Sequence, residues 1–319
     1  MYQELRKIIE KHDSIVLFGH IYPDGDCYGS QIGLRDLLRL NYPKKKVYAT
    51  GTGLHRFFNL ISPMDVVEDE VIKESLAILL DGNDLSRMED QRIYSAKAFI
   101  KIDHHIENFK FSEGKFVIDT NANSTCEMVV RMAQESGWKI NPTIANALFL
   151  GMLTDSGRFQ YIEDFPQAFH EAAWLCKNGA NPKALDKIIN VSSESSLAFK
   201  GYVYTHFKKT DNGVIYLTFP YSKLQELHVS PNKAGSMVNL IGNVIGYPIW
   251  AFFCEFEDGT CHAEFRSNGA DVHKVAAKYG GGGHLLASGV TLPQLNDEIV
   301  KQIISDLNDV LVEYKKEKN

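Results

Sequence analysis

Short apolar runs and longer stretches with helical spacing alternate along the first half of the chain. The runs are rich in aliphatic residues and predict buried strands, which lie at residues 14–18, 46–50, 75–80, 98–102 and 116–119. Apolar residues spaced as on one helix face predict helices at residues 32–38, 124–137, 143–153, 165–178 and 182–189. This alternation predicts an α/β fold with a parallel sheet and helices on both of its faces.

The pattern changes after residue 190. Residues 191–196 are serine-rich and polar, which favours a junction between two domains. Beyond them, strands are predicted at residues 214–219, 250–256, 261–265 and 288–292. We therefore expect an N-terminal domain at residues 1–190, a linker at 191–200, and a smaller α/β domain with a mixed sheet at 201–319.

Composition limits the function and the location. The 319 residues are 44% hydrophobic and carry a formal net charge of −6, which argues against a protein that binds long duplex nucleic acid. The five cysteines contain no CxxC pair, so neither a zinc knuckle nor a disulfide framework is indicated. Residues 1–13 have the pattern of an amphipathic helix, and no apolar run approaches a membrane span. We expect a soluble cytoplasmic protein with no membrane partner.

The first predicted strand leads into a turn that carries candidate metal ligands. His20, Asp24 and Asp26 follow this strand, at the sheet edge where open α/β folds bind ligands. Two carboxylates so close in sequence repel each other unless a cation lies between them, and histidine adds a nitrogen ligand. The alternative is ordinary turn chemistry, because Asp-Gly pairs also suit tight bends and a histidine beside a strand is often only hydrogen-bonded.

Further acidic and imidazole groups stand where other predicted elements end. Asp81 follows the strand at 75–80, Asp103-His104-His105 follow the strand at 98–102, and Asp155 follows the helix at 143–153. Groups at the carboxyl ends of parallel strands converge on one edge of the sheet. Asp155 also has a simpler interpretation, since Asp-Ser-Gly can form a turn.

The second domain contains a different candidate site. Residues 280–283 are four consecutive glycines followed by His284, and Arg266 ends a predicted strand. A flexible loop is the simpler interpretation, because glycine loses the most conformational freedom on folding. The alternative is a backbone that approaches an anion closely, with amide groups as donors and Arg266 as a bidentate phosphate contact.

The motifs of the first half, and the order in which they follow one another along the chain, resemble those of the DHH phosphoesterase family. This family is named for the tripeptide at residues 103–105. The family's first motif stands here as residues 20–26, its second as Asp81 and its fourth as residues 154–157. Ile21-Tyr22 and Cys27 vary the commonest form of the first motif, but no presumed ligand is missing.

The second half resembles the DHH-associated domain, through Arg266-Ser267 and residues 281–284. The resemblance therefore covers nearly the whole chain. It implies that the second domain holds a terminal nucleotide, and the substrate-binding residues it implies are Arg266, Gly281, Gly282, Gly283 and His284.

The resemblance also implies two divalent cations. It assigns one cation to His20, Asp24 and Asp81, and the other to Asp26, Asp81, His104 and Asp155, with Asp81 bridging. His105 is implied as the catalytic residue at the scissile phosphate or leaving group, with Asp103 orienting a neighbouring histidine. Histidine and carboxylate ligands suit Mn²⁺ best, with Mg²⁺, Co²⁺ or Zn²⁺ as alternatives.

The two-domain size resembles that of family members that cleave very short oligoribonucleotides or linear dinucleotides such as pApA and dephosphorylate pAp. Hydrolysis of cyclic di-AMP is an alternative that uses the same metal chemistry. A nucleotide-binding regulator without turnover is an alternative of another class, and the intact set of presumed ligands argues against it. The sequence leaves the oligomeric state open, with a homodimer as one option.

Overall fold

The computed structural model describes residues 2–82, 87–105, 114–162 and 164–318. The chain forms two compact units, Met1–Val191 and Ser192–Asn319. Each unit has its own sheet and its own buried apolar clusters. Within these residue ranges, no helix is both long and apolar enough to cross a lipid bilayer.

The first unit is built on a five-stranded sheet. Its strands are β1 (Ser14–Phe18), β2 (Lys46–Ala49), β3 (Leu76–Leu80), β4 (Ala98–Asp103) and β5 (Lys115–Ile118). They lie in the order β2-β1-β3-β4-β5, and each neighbouring pair is parallel. The predicted parallel sheet is confirmed, and the carboxyl ends of its strands share one edge.

Apolar side chains cover both faces of this sheet. The helices of the unit are α1 (Tyr2–Glu10), α2 (Gly25–Asn41), α3 (Asp69–Lys73), α4 (Thr125–Ser136), α5 (Pro142–Asp155), α6 (Phe165–Lys177) and α7 (Pro182–Ile189). Ile15 and Leu17 of β1 pack in the cluster that contains the buried faces of α1, α2, α4 and α5. Val16 and Phe18 pack on the opposite face with Ile72 of α3. Burial on both faces explains why β1 is apolar throughout.

Capping residues set where the helices near the sheet edge begin. The Ser124 hydroxyl accepts a hydrogen bond from the Glu127 N–H at 3.0 Å and caps α4, and Pro142 lies in the first turn of α5. Helix α2 begins at Gly25, earlier than its apolar spacing indicates, because the Asp24 carboxylate accepts hydrogen bonds from the first turn.

The second unit contains a six-stranded sheet. Its strands are β6 (Lys208–Lys209), β7 (Val214–Phe219), β8 (Ile249–Glu255), β9 (Cys261–Ser267), β10 (Gly282–His284) and β11 (Ala287–Leu292). They lie in the order β10-β11-β9-β8-β7-β6. The β7–β8 pair is parallel and the other described pairs are antiparallel, so the sheet is mixed, as predicted.

Helices pack on both faces of the mixed sheet. They are α8 (Glu194–His206), α9 (Tyr221–Glu226), α10 (Pro231–Ser236), α11 (His273–Lys278) and α12 (Asp297–Glu317). Residues of α11 and α12 share a buried cluster with Phe253 and Phe265, whereas Phe199 of α8 packs with Phe219 and Phe252.

One segment differs from its predicted form. Residues 194–200, expected as part of a linker, begin α8, because the Ser193 side chain caps the helix and Phe199 is buried in the second unit.

Candidate metal centre

Three neighbouring parallel strands deliver polar side chains to one edge of the first sheet. His20 follows β1, Asp81 directly follows β3, and β4 ends at Asp103. Two more acidic groups come from helix ends, since Asp26 lies in the first turn of α2 and Asp155 is the last residue of α5. The edge that the sequence points to therefore gathers side chains from five different elements.

Asp81 lies at the centre of this group. Its Oδ2 is 3.5 Å from His20 Nε2, and its Oδ1 is 3.7 Å from His104 Nε2 and 3.5 Å from His105 Nδ1. The backbone at Asp81 has φ 55°, in the left-handed region, which costs roughly 1–3 kcal/mol for a residue other than glycine. Such a conformation persists only where the surrounding structure fixes it. Here it places the Asp81 carboxylate between three histidines.

A second group consists of Asp26, His104 and Asp155. Each offers one ligand atom, and these atoms lie within 4.8 Å of one another. His104 Nε2 is 3.1 Å from Asp155 Oδ2. The two Asp26 oxygens accept hydrogen bonds from the Thr125 and Cys126 N–H groups at 2.7 and 2.8 Å, so the first turn of α4 fixes this carboxylate.

Asp24 combines a capping role with a place beside the cluster. Its Oδ1 accepts hydrogen bonds from the Asp26 and Cys27 N–H groups at 2.9 and 3.0 Å. With His20, Asp81 and others it lines a cavity of about 180 Å³. Among the described residues, Asp24 is outside the sets of three or more ligand atoms that lie within 4.8 Å of one another, although it borders the same space.

Backbone carbonyls orient two of the histidines. His20 Nδ1 is 2.8 Å from the Ile21 oxygen, and His104 Nδ1 is 3.3 Å from the Ala122 oxygen. A proton donated from Nδ1 leaves the Nε2 lone pair free, and in both residues Nε2 faces Asp81. This is how neutral histidine ligands of metals are usually held.

The third histidine has a different partner. His105 Nδ1 is 2.8 Å from Asp103 Oδ1, and this hydrogen bond raises the pKa of His105. Asp103 Oδ2 is 3.1 Å from Lys101 Nζ, and both side chains are fully buried. Burial alone would raise the pKa of Asp103, but the bonds from His105 and the charge of Lys101 keep it below its ordinary value. Asp103 is therefore an anion that orients His105, the histidine two residues on.

The charges of the cluster fit divalent cations. Burial and repulsion from Asp155 raise the pKa of Asp26 to about 7, and burial and repulsion from Asp26 raise the pKa of Asp81 well above its ordinary value. Burial lowers the pKa of His104, but the hydrogen bond with Asp155 and nearby carboxylates raise it to about 9. Asp81 Oδ1 is buried and makes no hydrogen bond within the described residues, and His104 Nε2 is buried with the Asp155 carboxylate as its nearest partner at 3.1 Å. Cations would neutralise the carboxylates and satisfy both atoms.

In the second unit, the predicted substrate-binding residues lie on β9 and at β10, the two strands that flank β11. Arg266 on β9 is paired with Ala287 on β11, and Ala287 is paired with His284 on β10. Arg266 is only partly buried, and its guanidinium contacts Glu264 Oε2 at 3.0 Å. The structure thus places Arg266 and His284 at the same end of the mixed sheet.

The glycine run is more ordered than a flexible loop. Gly282 and Gly283 belong to β10, which pairs with β11. A Cβ on Gly281 would overlap the Gly289 carbonyl oxygen, and one on Gly283, where φ is 130°, would lie 2.6 Å from the Ala287 oxygen. Close approach of two strands therefore explains two of these glycines.

The amides of the run are not all open to a ligand. The Gly281 N–H donates to the Ala276 carbonyl at 2.8 Å, so it is already used at the end of α11. Gly281 and Gly282 line a cavity of about 500 Å³ together with His262 and Glu264. The residues that line this cavity all belong to the second unit.

Known proteins match both units. Residues 14–152 match the N-terminal domain of the DHH family, and residues 211–313 match the DHHA1 domain. The chain is 36% identical over 299 residues to a protein of Mycoplasma pneumoniae named bifunctional oligoribonuclease and PAP phosphatase NrnA, with 91% of each chain covered. The chain belongs to the DHH family.

Two further comparisons extend over nearly the whole DHH-family chain. A Bacillus subtilis protein, also named bifunctional oligoribonuclease and PAP phosphatase NrnA, is 31% identical over 317 residues, which cover 98% of this chain and 100% of that one. The crystal structure of an exopolyphosphatase-related protein from Bacteroides fragilis matches with a TM-score of 0.84 at 26% identity and covers 97% of both chains. The two-unit fold is thus shared with a solved structure.

Sequence reasoning missed two residues of the DHH-family site. Lys101 lies within an apolar strand. Its position two residues before Asp103 places both side chains on the same face of the strand, and this spacing could have indicated that they pair. Arg87 lines the cavity around Asp81, but it belongs to no motif and gave no signal. Arg87 brings a cation to the wall of this cavity, whereas the fully buried Lys101 pairs with Asp103.

Proposed function

We propose that this protein is a metal-dependent phosphoesterase that hydrolyses very short oligoribonucleotides and linear dinucleotides such as pApA to mononucleotides and also dephosphorylates pAp. The observation that carries the proposal is the buried cluster of carboxylates and histidines centred on Asp81. The names of the Mycoplasma pneumoniae and Bacillus subtilis relatives support the substrate class.

The proposed cofactors are two divalent cations, with Mn²⁺ preferred and Mg²⁺, Co²⁺ or Zn²⁺ as alternatives, because the assigned donors are imidazole and carboxylate. Cys27 Sγ also lies within 4.8 Å of the donor atoms of His20 and Asp81, but burial raises the pKa of this thiol well above its ordinary value, which disfavours the thiolate that binds metals. His20, Asp24 and Asp81 would hold one, and Asp26, Asp81, His104 and Asp155 would hold the other. When bound, such cations lower the pKa of water and offset the negative charge of the phosphate. Bonds to backbone groups hold the side chains of His20, Asp26 and His104 in place before a cation binds.

His105 is the proposed proton donor to the leaving oxygen. Its Nδ1 is engaged by Asp103, so Nε2 is the nitrogen left for substrate, and 43% of the side chain is exposed. The hydrogen bond with Asp103 raises the pKa of His105, which favours the protonated ring more than in a free histidine. When the bond between the 3′ oxygen and phosphorus breaks, the proton on Nε2 passes to that oxygen and the Asp103 carboxylate stabilises the ring.

Arg266 and His284 are proposed to bind the phosphate at the 5′ end of the substrate. Arg266→Ala is expected to raise KM for pApA by about tenfold or more with little change in kcat, because a charge-assisted contact to substrate is lost away from the reacting bond. Steady-state kinetics measure both constants. Arg266→Lys should recover only part of the loss, since lysine keeps the charge without the planar fork.

Exposed Lys209 on β6 provides a control, and Lys209→Ala should behave as the wild type. A variant of Arg266 with reduced kcat and unchanged KM would contradict a role in substrate binding. Such a result would point instead to a structural role through the Glu264 contact.

The proposed function is tested by giving chelator-treated protein equal concentrations of pApA, cyclic di-AMP and pAp, with and without Mn²⁺, and measuring AMP and phosphate. We expect Mn²⁺-dependent hydrolysis of pApA to AMP, slower release of phosphate from pAp and little product from cyclic di-AMP. Preference for cyclic di-AMP would move the protein to second-messenger degradation. Tight nucleotide binding without any product would favour a regulator and overturn the proposal.

A further inference from the structure

Beside the cluster, the first unit contains a cavity of about 790 Å³. His104 and Asp155 form one end of it, and the rest is lined by residues 120–123, Arg131, Tyr161, Asp164 and Gln167. Small-molecule sites typically have volumes of roughly 300–1,000 Å³, so a nucleoside fits the available space. A group bound there would lie next to two of the candidate metal ligands.

Tyr161 presents an aromatic ring to this cavity. The side chain is 69% exposed, which is unusual for a tyrosine whose backbone is fixed. Its N–H donates to the Ser156 carbonyl at 3.0 Å, and its ring lies against Gly157, where a Cβ would overlap two ring atoms. The ring is therefore held beside the turn that follows Asp155, with a face available for a planar ligand.

The charges of the wall favour a neutral ligand over a phosphate. Arg131 is already paired with Glu171 at 2.7 Å, with Asp119 at 3.1 Å and with Glu127. The Asp164 carboxylate accepts from the Gln167 N–H at 3.1 Å and adds negative charge. The described lining therefore has no unpaired arginine or lysine to receive an anion. Its three amide side chains, those of Asn121, Asn123 and Gln167, suit a base and a ribose, although the amide nitrogens of Asn123 and Gln167 already donate to Glu127 and Glu171.

Of the substrates in the proposed function, pApA has one group that pAp lacks, and this group is a neutral base with its ribose. Both pAp and pApA contain a 5′-phosphorylated adenosine whose 3′ oxygen carries the scissile phosphate. In pApA that phosphate continues to a second nucleoside, which carries no other phosphate. We propose that the cavity beside His104 and Asp155 binds this nucleoside on the 3′ side of the scissile phosphate, with its base stacked on Tyr161. The inference rests on the proposed function and adds a subsite to it.

The test compares kcat/KM for pApA and pAp in the Mn²⁺-loaded wild type and in Tyr161→Ala and Tyr161→Phe. Loss of base stacking is expected to lower kcat/KM for pApA by about 5- to 150-fold in Tyr161→Ala. The value for pAp should stay at that of the wild type, because pAp has no second nucleoside. Tyr161→Phe keeps the ring and should retain activity on both substrates.

Two controls separate the subsite from other effects. Tyr204→Ala removes another exposed tyrosine, on α8, and should change neither substrate. The methyl ester of the 3′-phosphate of pAp is a diester without a second base, and its hydrolysis should not respond to Tyr161→Ala. Thermal unfolding of Tyr161→Ala should match the wild type, since the side chain is largely exposed.

Equal losses on pApA and pAp, or no loss on pApA, would overturn the subsite while leaving the proposed function intact. A wild-type protein that hydrolyses neither substrate would instead overturn the proposed function, and the subsite with it. The two failures are therefore distinguishable in a single set of rate measurements.

Discussion

Asp81→Asn is expected to reduce hydrolysis of pApA and of pAp by a factor on the order of 10³, because it removes the carboxylate that is proposed to hold both cations. Asparagine keeps the size of the side chain and tolerates the left-handed backbone at this position better than alanine. The expected loss is therefore one of charge and coordination rather than of fold. It is measured as kcat at saturating Mn²⁺, with calorimetry to count the cations bound.

Asp186→Asn is a matched control, because Asp186 is a half-exposed carboxylate that pairs with Arg158 outside the cluster. It should retain wild-type activity and metal binding. Retention of both properties in Asp81→Asn would contradict the central position that the structure gives Asp81.

The same substitution should stabilise the protein when metal is absent. The pKa of Asp81 is raised above its ordinary value of 3.8, so its contribution to stability is present at low pH and is lost as pH rises through the folded-state pKa. At pH 8, well above the ordinary value, folding of the metal-free wild type therefore carries the cost of this raised pKa, whereas asparagine is neutral at every pH and carries no such cost. Unfolding of chelator-treated protein should show a higher midpoint for Asp81→Asn at pH 8 and a smaller difference at pH 5. The opposite sign would contradict this electrostatic account.

The sequence predicted the strand ends of the site well, because buried parallel strands are continuous apolar runs and a polar residue after such a run is conspicuous. His20, Asp81 and Asp103 were found in this way. Contacts between distant segments gave no such signal. The Ala122 carbonyl that orients His104 and the left-handed backbone of Asp81 follow from the packed fold and not from local pattern.

Glycine was the residue whose role was hardest to predict from the sequence. The glycines of residues 281–283 suggested an anion cradle or a flexible loop, whereas Gly281 and Gly283 are required where β10 and β11 approach closely. Conversely, Gly25, Gly29 and Gly33 recur every four residues along α2, and an added Cβ on each would overlap α5. That spacing was visible in the sequence, and it places the start of α2 beside the end of α5, where Asp26 and Asp155 lie.

Gly151 on α5 provides the strictest test of this packing. A Cβ there would overlap Cys126 Sγ and would lie 2.5 Å from Asp26 Oδ1, and both of these side chains are fully buried. Asp26 cannot move aside without breaking its hydrogen bonds to the first turn of α4. Gly151→Ala is therefore expected to lower the free energy of unfolding by about 1–3 kcal/mol. Displacement of Asp26 should also weaken metal binding by roughly 10- to 100-fold.

Gly201→Ala is the matched control, because Gly201 also lies within a helix but nothing lies within 4 Å of its added Cβ. It should stabilise the protein by roughly 0.5–1 kcal/mol and leave metal binding unchanged. The double variant Gly151→Ala/Cys126→Ala removes the sulfur contact and keeps the approach to Asp26, together with a weaker overlap at 2.8 Å from the Cβ of residue 126. It should recover part of the lost stability but not the metal affinity, as measured by denaturant unfolding and calorimetric titration with Mn²⁺. Recovery of both would mean that Cys126, and not the position of Asp26, makes glycine necessary here.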